Sequence, residues 1–288
     1  MSRERARVSA MWWIFVLASL LSCVRNSPTS TTAAAGEFTL LTYNVAGLPQ
    51  GISPSNPAKN IPLISPLLNR YDLVVVQEDF FYHQELESRA EHPHRSTPKA
   101  PKERFTSGDG LNRFSVFPFS RFQRLEWVSC SNASGNDCLA RKGFSVAEHE
   151  LAPGVRIDLY NLHLDSGSEP GDFQARSRQI DQLLNEINRR SAGKAVIVAG
   201  DMNLHLENRA QDLSMFQSLL QLAGLTDACQ ARSCPTELVD RVLFRGSTRL
   251  NLTVTEWKRD SDFVDENGQK LSDHFAVGVR FEWEGRSD

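Results

Sequence analysis

Two short apolar runs constrain this chain more than any other feature: LVVV at 73–76, inside YDLVVVQEDF, and AVIVA at 195–199, inside KAVIVAGD. Neither run alternates with polar residues, and each is bounded by polar ones. That is the pattern of strands buried on both faces, which need a sheet covered on both sides. Other segments do alternate. EFTLLTYN, GVRIDLYNLH (Val155, Ile157, Leu159), LTVTEW and FAVGVRFEW (Phe275, Val277, Val279, Phe281, Trp283) carry the period of a half-buried strand. DFQARSRQIDQLLNEINRRSAG spaces Phe173, Ile180, Leu183, Leu184 and Ile187 at close to 3.6 residues and stops at Gly193, which predicts a helix. MFQSLLQLAG predicts a shorter one. With 288 residues, 40% of them hydrophobic, the chain can bury a substantial core. Strands and helices are mixed, without strict alternation or internal repeats. Two packed sheets with helices outside, an α/β sandwich, is the architecture this predicts.

Polar residues recur at the strand ends. Asn44 closes the first strand and Glu78 the second; His163 lies in NLHLDS, Asp201 and Asn203 in AGDMN, Asp240 in LVDRVLF, and Asp273 with His274 in SDHFAV. Each has a plain explanation alone: a turn former, a helix cap, a satisfied histidine, a polar strand cap. Six strand ends that all carry Asn, Asp, Glu or His are harder to dismiss. Strand ends on one side of a sandwich converge on one rim, so separate segments can build one site.

The N-terminus differs from the rest. MSRERARVSA carries three arginines, MWWIFVLASLLSC is an uncharged apolar run, and small residues follow. This is the pattern of an export signal over residues 1–22. LLSC resembles a bacterial lipobox with Cys23 as the lipidated residue; ordinary cleavage near Ala35 is the alternative. Residues 23–36, rich in Ser, Thr and Ala, read as a flexible tether, and 37–288 as one domain. Residues 1–36 hold four arginines and one acid, leaving 28 basic against 34 acidic side chains and a net charge of −6. That balance disfavours nonspecific binding to a phosphate backbone. The remaining cysteines fall in two close pairs, Cys130 with Cys138 across CSNASGNDC and Cys229 with Cys234 across CQARSC. Disulfides are expected over zinc, since neither pair has CxxC spacing and no His follows at finger distance.

Taken in order, LTYNVAG, VVVQEDF, YNLHLDS, IVAGDMN, LVDRVLF and SDHFAV resemble the endonuclease/exonuclease/phosphatase superfamily, over residues 37 to 283. Pancreatic-type deoxyribonuclease, abasic-site endonucleases, inositol-polyphosphate 5-phosphatases and bacterial sphingomyelinases share this core. The resemblance implies a four-layered α/β/β/α sandwich with two packed mixed β-sheets. The roles it implies agree with the side-chain chemistry. Glu78 with Asn44 offers hard oxygen ligands suited to Mg²⁺, with Mn²⁺ or Co²⁺ as substitutes, and Asp273 supports the metal shell. Asp240 would fix the His274 imidazole, which takes a proton from water. Asp201 would orient that water or hold the leaving side, Asn203 donate to a phosphate oxygen, and a protonated His163 stabilise the oxyanion. Which histidine is acid and which base stays open.

Asp165 and His205 are candidates for supporting positions, while His83, His92, His94 and His149 have no motif context and read as surface residues. For the substrate, a phospholipid is favoured over nucleic acid. The export signal, the acidic domain and the aromatics Phe80, Phe81 and Tyr82 beside Glu78 point that way. GNDCLARKGF, QEDFFYH and NLHLDSGS resemble extracellular sphingomyelinase-like members. Against it, no exposed aromatic hairpin is evident, and Phe117, Phe119 and Phe122 read as core. A secreted nuclease is the alternative. An inositol-polyphosphate phosphatase ranks third, because VDRVLFRG lacks the Trp-Cys that precedes that group's DR signature. A noncatalytic binding module on the same scaffold should have lost one of Glu78, Asp201, Asn203, Asp240 or His274, and none is missing. No protein partner is implied. A membrane attachment through a lipid on Cys23 is expected if the lipobox is used.

Overall fold

The structure, a computed structural model, describes residues 34–101, 107–232, 234 and 238–286. The export signal and Cys23 lie outside the described residues. The tether read over 23–36 does not run to Gly36: the first strand, β1 (Ala35–Asn44), already includes Ala35 and Gly36, paired with Glu284 and Trp283.

After β1 come helix α1 (Pro57–Leu67), β2 (Leu73–Gln77), short helix α2 (His83–Glu87), β3 (His94–Arg95), β4 (Asn112–Ser115), β5 (Phe119–Glu126), β6 (Gly143–Ala152) and β7 (Val155–His163). Then follow α3 (Pro170–Arg190), β8 (Val196–Asp201), α4 (Ala210–Ala223), β9 (Thr226–Asp227), β10 (Asp240–Arg245), β11 (Leu250–Arg259) and β12 (Val277–Gly285). One sheet runs β11-β12-β1-β2-β4-β3 and the other β5-β6-β7-β8-β10-β9. Both are mixed: β1–β2 and β7–β8 pair in parallel, their other pairs being antiparallel.

The two apolar runs explain the layering. Leu73 and Val75 face the core between the sheets, with Leu40, Ile197, Ala199, Val242 and Phe281. Val74 and Val76 face the opposite way, onto Ile61 and Ile64 of α1 and Leu86 of α2. In the other sheet Val196 and Val198 face outward onto Ile180, Leu183 and Ile187 of α3 and Phe216 of α4. Both faces of each central strand are dry, so neither sequence run has room for a polar residue. The result is the four-layered α/β/β/α sandwich.

α3 follows its sequence signals. Pro170 sits in its first turn, Glu169 and Asp172 form a capping box, and Arg189 and Arg190 complement the dipole in its last turn. α1 does not follow them: it contains Pro62 and Pro66. Prolines inside a helix remove donors and argue against it. Burial of Ile61, Ile64 and Leu68, with Asn56 Oδ1 accepting from the Lys59 N–H at 3.3 Å, outweighs that penalty.

Several expectations need correction. His92 and His149 are buried rather than at the surface; His92 Nε2 meets the Tyr71 carbonyl at 2.7 Å, and His149 lies beside Arg113 between the sheets. Phe119 and Phe122 are half-buried at the sandwich edge, where the Arg113 and Arg124 guanidiniums lie over Phe122 at 5.0 Å each. The last strand starts at Val277, and Phe275 is exposed. Cys130–Cys138 and Cys229–Cys234 are each joined, with Cα separations of 5.4 and 5.1 Å. The first closes a loop that contains a 3₁₀ turn at Asp137–Leu139.

Candidate active site

Register brings the polar strand ends together. β1 and β2 run in parallel, so Asn44 pairs with Gln77 and Glu78 follows immediately. β7 and β8 are also parallel and align His163 with Asp201. β10 runs antiparallel to β8 and starts opposite Asp201 with Asp240. β12 runs antiparallel to β1, and Thr42 pairs with its first residue, Val277, which leaves residues 272–274 beside Asn44. Ser272 fastens that segment: its hydroxyl donates to the Asn44 carbonyl at 2.7 Å and accepts from the His274 N–H at 3.2 Å.

Asp201 is the hub, with 1% of its surface exposed. Its Oδ2 accepts from Asn44 Nδ2 at 3.1 Å and lies 3.2 Å from His163 Nε2 and 3.7 Å from His274 Nε2. Its Oδ1 accepts from the Asn203 backbone N–H at 3.0 Å. Burial alone would raise the Asp201 carboxyl, but His163 and His274 hold it far below the usual range. Asp240 Oδ2 meets His274 Nδ1 at 2.7 Å, the geometry of a carboxylate–imidazole dyad. Burial would lower His274; the carboxylates of Asp240, Asp201 and Asp273 overcome it and push the imidazole up to about 10.

Asn44 Nδ2 also donates to Glu78 Oε1 at 3.1 Å, while its Oδ1 accepts from the Ala46 N–H at 3.0 Å. Asn44 therefore ties Glu78 to Asp201 through its amide NH₂. Among the described residues the half-buried Glu78 carboxylate has no cationic partner, an arrangement that fits a bound cation. Asp240 Oδ1 and His163 Nδ1 are buried without a hydrogen-bond partner among the described residues. Asp201, Asp240 and His274 also each offer a ligand atom within 4.8 Å of one another. Glu78 and Asn203 have φ of +57° and +47°, left-handed values that carry strain in non-glycine residues and concentrate at functional sites.

Three sequence candidates do not join this cluster. Asp273 is exposed, and its carbonyl accepts from Lys270 Nζ at 2.8 Å. Residues 271–274 form a bend, and Asp273 Oδ1 stays 3.2 Å from the Ser272 hydroxyl, at the outer edge of the site. Asp165 is buried behind the site, accepting the Ser131 N–H at 2.7 Å. His205 is half-buried, its N–H on Asp212 at 3.1 Å. Conversely, Lys142 belongs to the cleft although no sequence motif singles it out. It is buried, pairs with Asp137 at 2.5 Å and lines the same cleft as His163 and Asn203. The ARKGF stretch was its only sequence signal.

The cleft has a volume of about 750 Å³, with Glu78, His163, Asp201, Asn203 and His274 in its lining. Its wall includes Leu48, Ile52, Phe80, Phe81 and Leu139, of which Ile52, Phe81 and Leu139 are 69%, 54% and 53% exposed.

A two-sheet sandwich with carboxylates, amides and paired histidines on one rim defines a phosphoester-chemistry class of site. The chain matches the Endonuclease/Exonuclease/phosphatase family over residues 41–274 and belongs to that family. It is 33% identical over 289 aligned residues to proteins named sphingomyelinase from Mycobacterium bovis and Mycobacterium tuberculosis. That alignment covers 93% of this chain and 56% of theirs, so the chain spans just over half the length of those relatives. Among solved structures, sphingomyelinase C from Streptomyces griseocarneus shares the fold with a TM-score of 0.62 at 18% identity, covering 88% of this chain and 100% of that one. A beta toxin double mutant from Staphylococcus aureus with bound magnesium ions does so with a TM-score of 0.63 at 18% identity, covering 85% and 99%.

Proposed function

We propose that the chain is an exported, divalent-metal-dependent phosphodiesterase of the sphingomyelinase type, with a phospholipid as its substrate. The observation that carries the reading is the union of the two halves of the cleft. A carboxylate–histidine rim lies at its base, and an apolar wall with exposed Ile52, Phe81 and Leu139 lies at its mouth. Water-soluble phosphoesters gain little from such a wall, whereas a lipid brings apolar surface to cover it. The net charge of −6 beyond residue 36 points away from a nucleic-acid backbone. The names of the mycobacterial relatives agree.

Glu78 would hold the cation, with Asn44 bridging it to Asp201; Mg²⁺ suits hard oxygen donors, and Mn²⁺ or Co²⁺ would substitute. Bound there, a dication would neutralise phosphoryl oxygens and favour the neutral form of His274. Asp240 fixes the His274 ring so that Nε2 faces Asp201 and the cleft, placing it to take a proton from the attacking water. Asn203, His163 and Lys142 surround the place where phosphate charge develops, as donors. The basic–apolar N-terminal pattern and the two disulfides support export, with Cys23 as a lipid anchor.

The test is the purified protein assayed in parallel on sphingomyelin vesicles, plasmid DNA and an inositol polyphosphate, with Mg²⁺ and with chelator. Turnover of sphingomyelin in Mg²⁺ alone is expected. Cleavage of DNA with no turnover of vesicles would overturn the lipid reading, and undiminished activity in chelator would overturn the metal.

A further inference from the structure

The turn that presents Glu78 is braced from behind by polar residues that the reaction does not use. The Glu78 carbonyl accepts from the N–H of Gly47 at 3.0 Å and of Phe80 at 2.8 Å. The next side chain, Asp79, turns the opposite way and is completely buried. Its Oδ2 accepts from Asn112 Nδ2 at 2.7 Å and meets His83 Nδ1 at 2.5 Å. His83, at the start of α2, also places Nε2 3.4 Å from Glu87 and stacks on Phe114 with ring centroids 6.2 Å apart. Asn112 is itself held, its Oδ1 accepting from Arg124 Nη2 at 2.6 Å, and β4 fixes it opposite Val76 of β2.

The backbone around the turn is equally confined. The Asp79 N–H donates to the Gly110 carbonyl at 3.1 Å. Gly110 has φ +65°, and a Cβ there would lie 2.7 Å from the Phe80 ring and 3.0 Å from the Glu78 Cα. Glu78 and Asp79 share one peptide unit, so the rotation that buries Asp79 is the rotation that turns Glu78 toward the cleft. Releasing the Asp79 side chain lets the left-handed Glu78 relax, because nothing intrinsic to a glutamate favours φ +57°.

We propose that Asp79 and His83 are positioning residues: acting through the 78–79 peptide, they hold the Glu78 carboxylate in its left-handed turn and so set the affinity with which this site binds a divalent cation. The proposal rests on the reading of Glu78 as a cation ligand. Neither residue is among those that line the cleft. Partners that orient a ligand commonly change metal affinity by about 10–100-fold when removed.

Isothermal titration of Mg²⁺ alone into the full chain tests this, with melting curves recorded in chelator. The variants are Asp79→Asn, His83→Ala, His83→Asn and, as a control on the exposed side of α2, Gln84→Ala. The wild type and Gln84→Ala are expected to bind Mg²⁺ equally. Asp79→Asn and His83→Ala should bind about tenfold or more weakly at an unchanged Tm. His83→Asn keeps an N–H in the place of Nδ1, within reach of Asp79, and should recover much of the affinity. A wild type that binds no Mg²⁺ overturns the cation reading itself. Wild-type affinity in both Asp79→Asn and His83→Ala overturns the positioning role alone, as does a loss that merely follows a fall in Tm.

Discussion

At the scale of single residues, the site depends on which way each side chain turns from a shared stretch of backbone. Ser272, Asp273 and His274 are consecutive, yet Ser272 and His274 reach Asn44 and Asp240 while Asp273 faces solvent. On the proposed mechanism, truncating His274 removes the group that activates water, and it leaves the buried Asp240 without its imidazole partner. His274→Ala is therefore expected to lower kcat by roughly two or more orders of magnitude, read in the vesicle assay with Mg²⁺ saturating. A variant with wild-type kcat would remove His274 from the mechanism. The sequence motifs revealed which residue types gather here, because QE and GDMN close strands and SDH lies just before one. They did not reveal Lys142, whose burial against Asp137 depends on a loop closed by the Cys130–Cys138 bridge.

At the scale of elements, the helices are held by what they cover more than by their own propensity. Leu183 of α3 is completely buried against Val196 and Val198, the outward residues of a strand with no polar side. Leu183→Ala should cost about 2–5 kcal/mol of unfolding free energy, seen as a lower urea midpoint at an unchanged slope. A loss under about 1 kcal/mol would mean that the layer collapses readily around the gap. α3 was legible in advance because its buried face, cap and basic last turn all agree. α1 was not, because Pro62 and Pro66 argue locally against a helix that only its packing on β1 and β2 makes worthwhile.

At the scale of the whole molecule, the sheets are joined by a polar tie as well as by their apolar core. Arg113 of β4 crosses to the other sheet, donating to the Leu159 carbonyl at 3.2 Å and to Ser145 Oγ at 2.8 Å, and lies 3.3 Å from His149 Nε2. Burial, then the Arg113 charge, hold the His149 imidazole well below its ordinary 6.5, so it is neutral in the folded protein. Unfolding frees it to take a proton. Between the folded value and 6.5 the unfolded chain binds more protons, so stability rises with pH through that window and is lost as pH falls below 6.5. Urea midpoints measured from pH 7 down to pH 5 should fall, and His149→Gln should flatten that slope. An identical slope in the variant would assign the acid sensitivity to other groups.

The sequence by itself determined the layers and most of the polar residues that line the cleft. LVVV and AVIVA tolerate no water on either face, so they required two covered sheets, and the polar residues at the strand ends followed from where those runs stop. Only the tertiary structure decided which of those residues meet. Asn44 bonds Asp201 across 157 residues and Ser272 bonds Asn44 across 228. Such contacts depend on strand order and register, which local propensity does not encode. The same holds for the inward turn of Asp79 and for the burial of His149, where an ordinary side chain takes its character from neighbours distant in sequence.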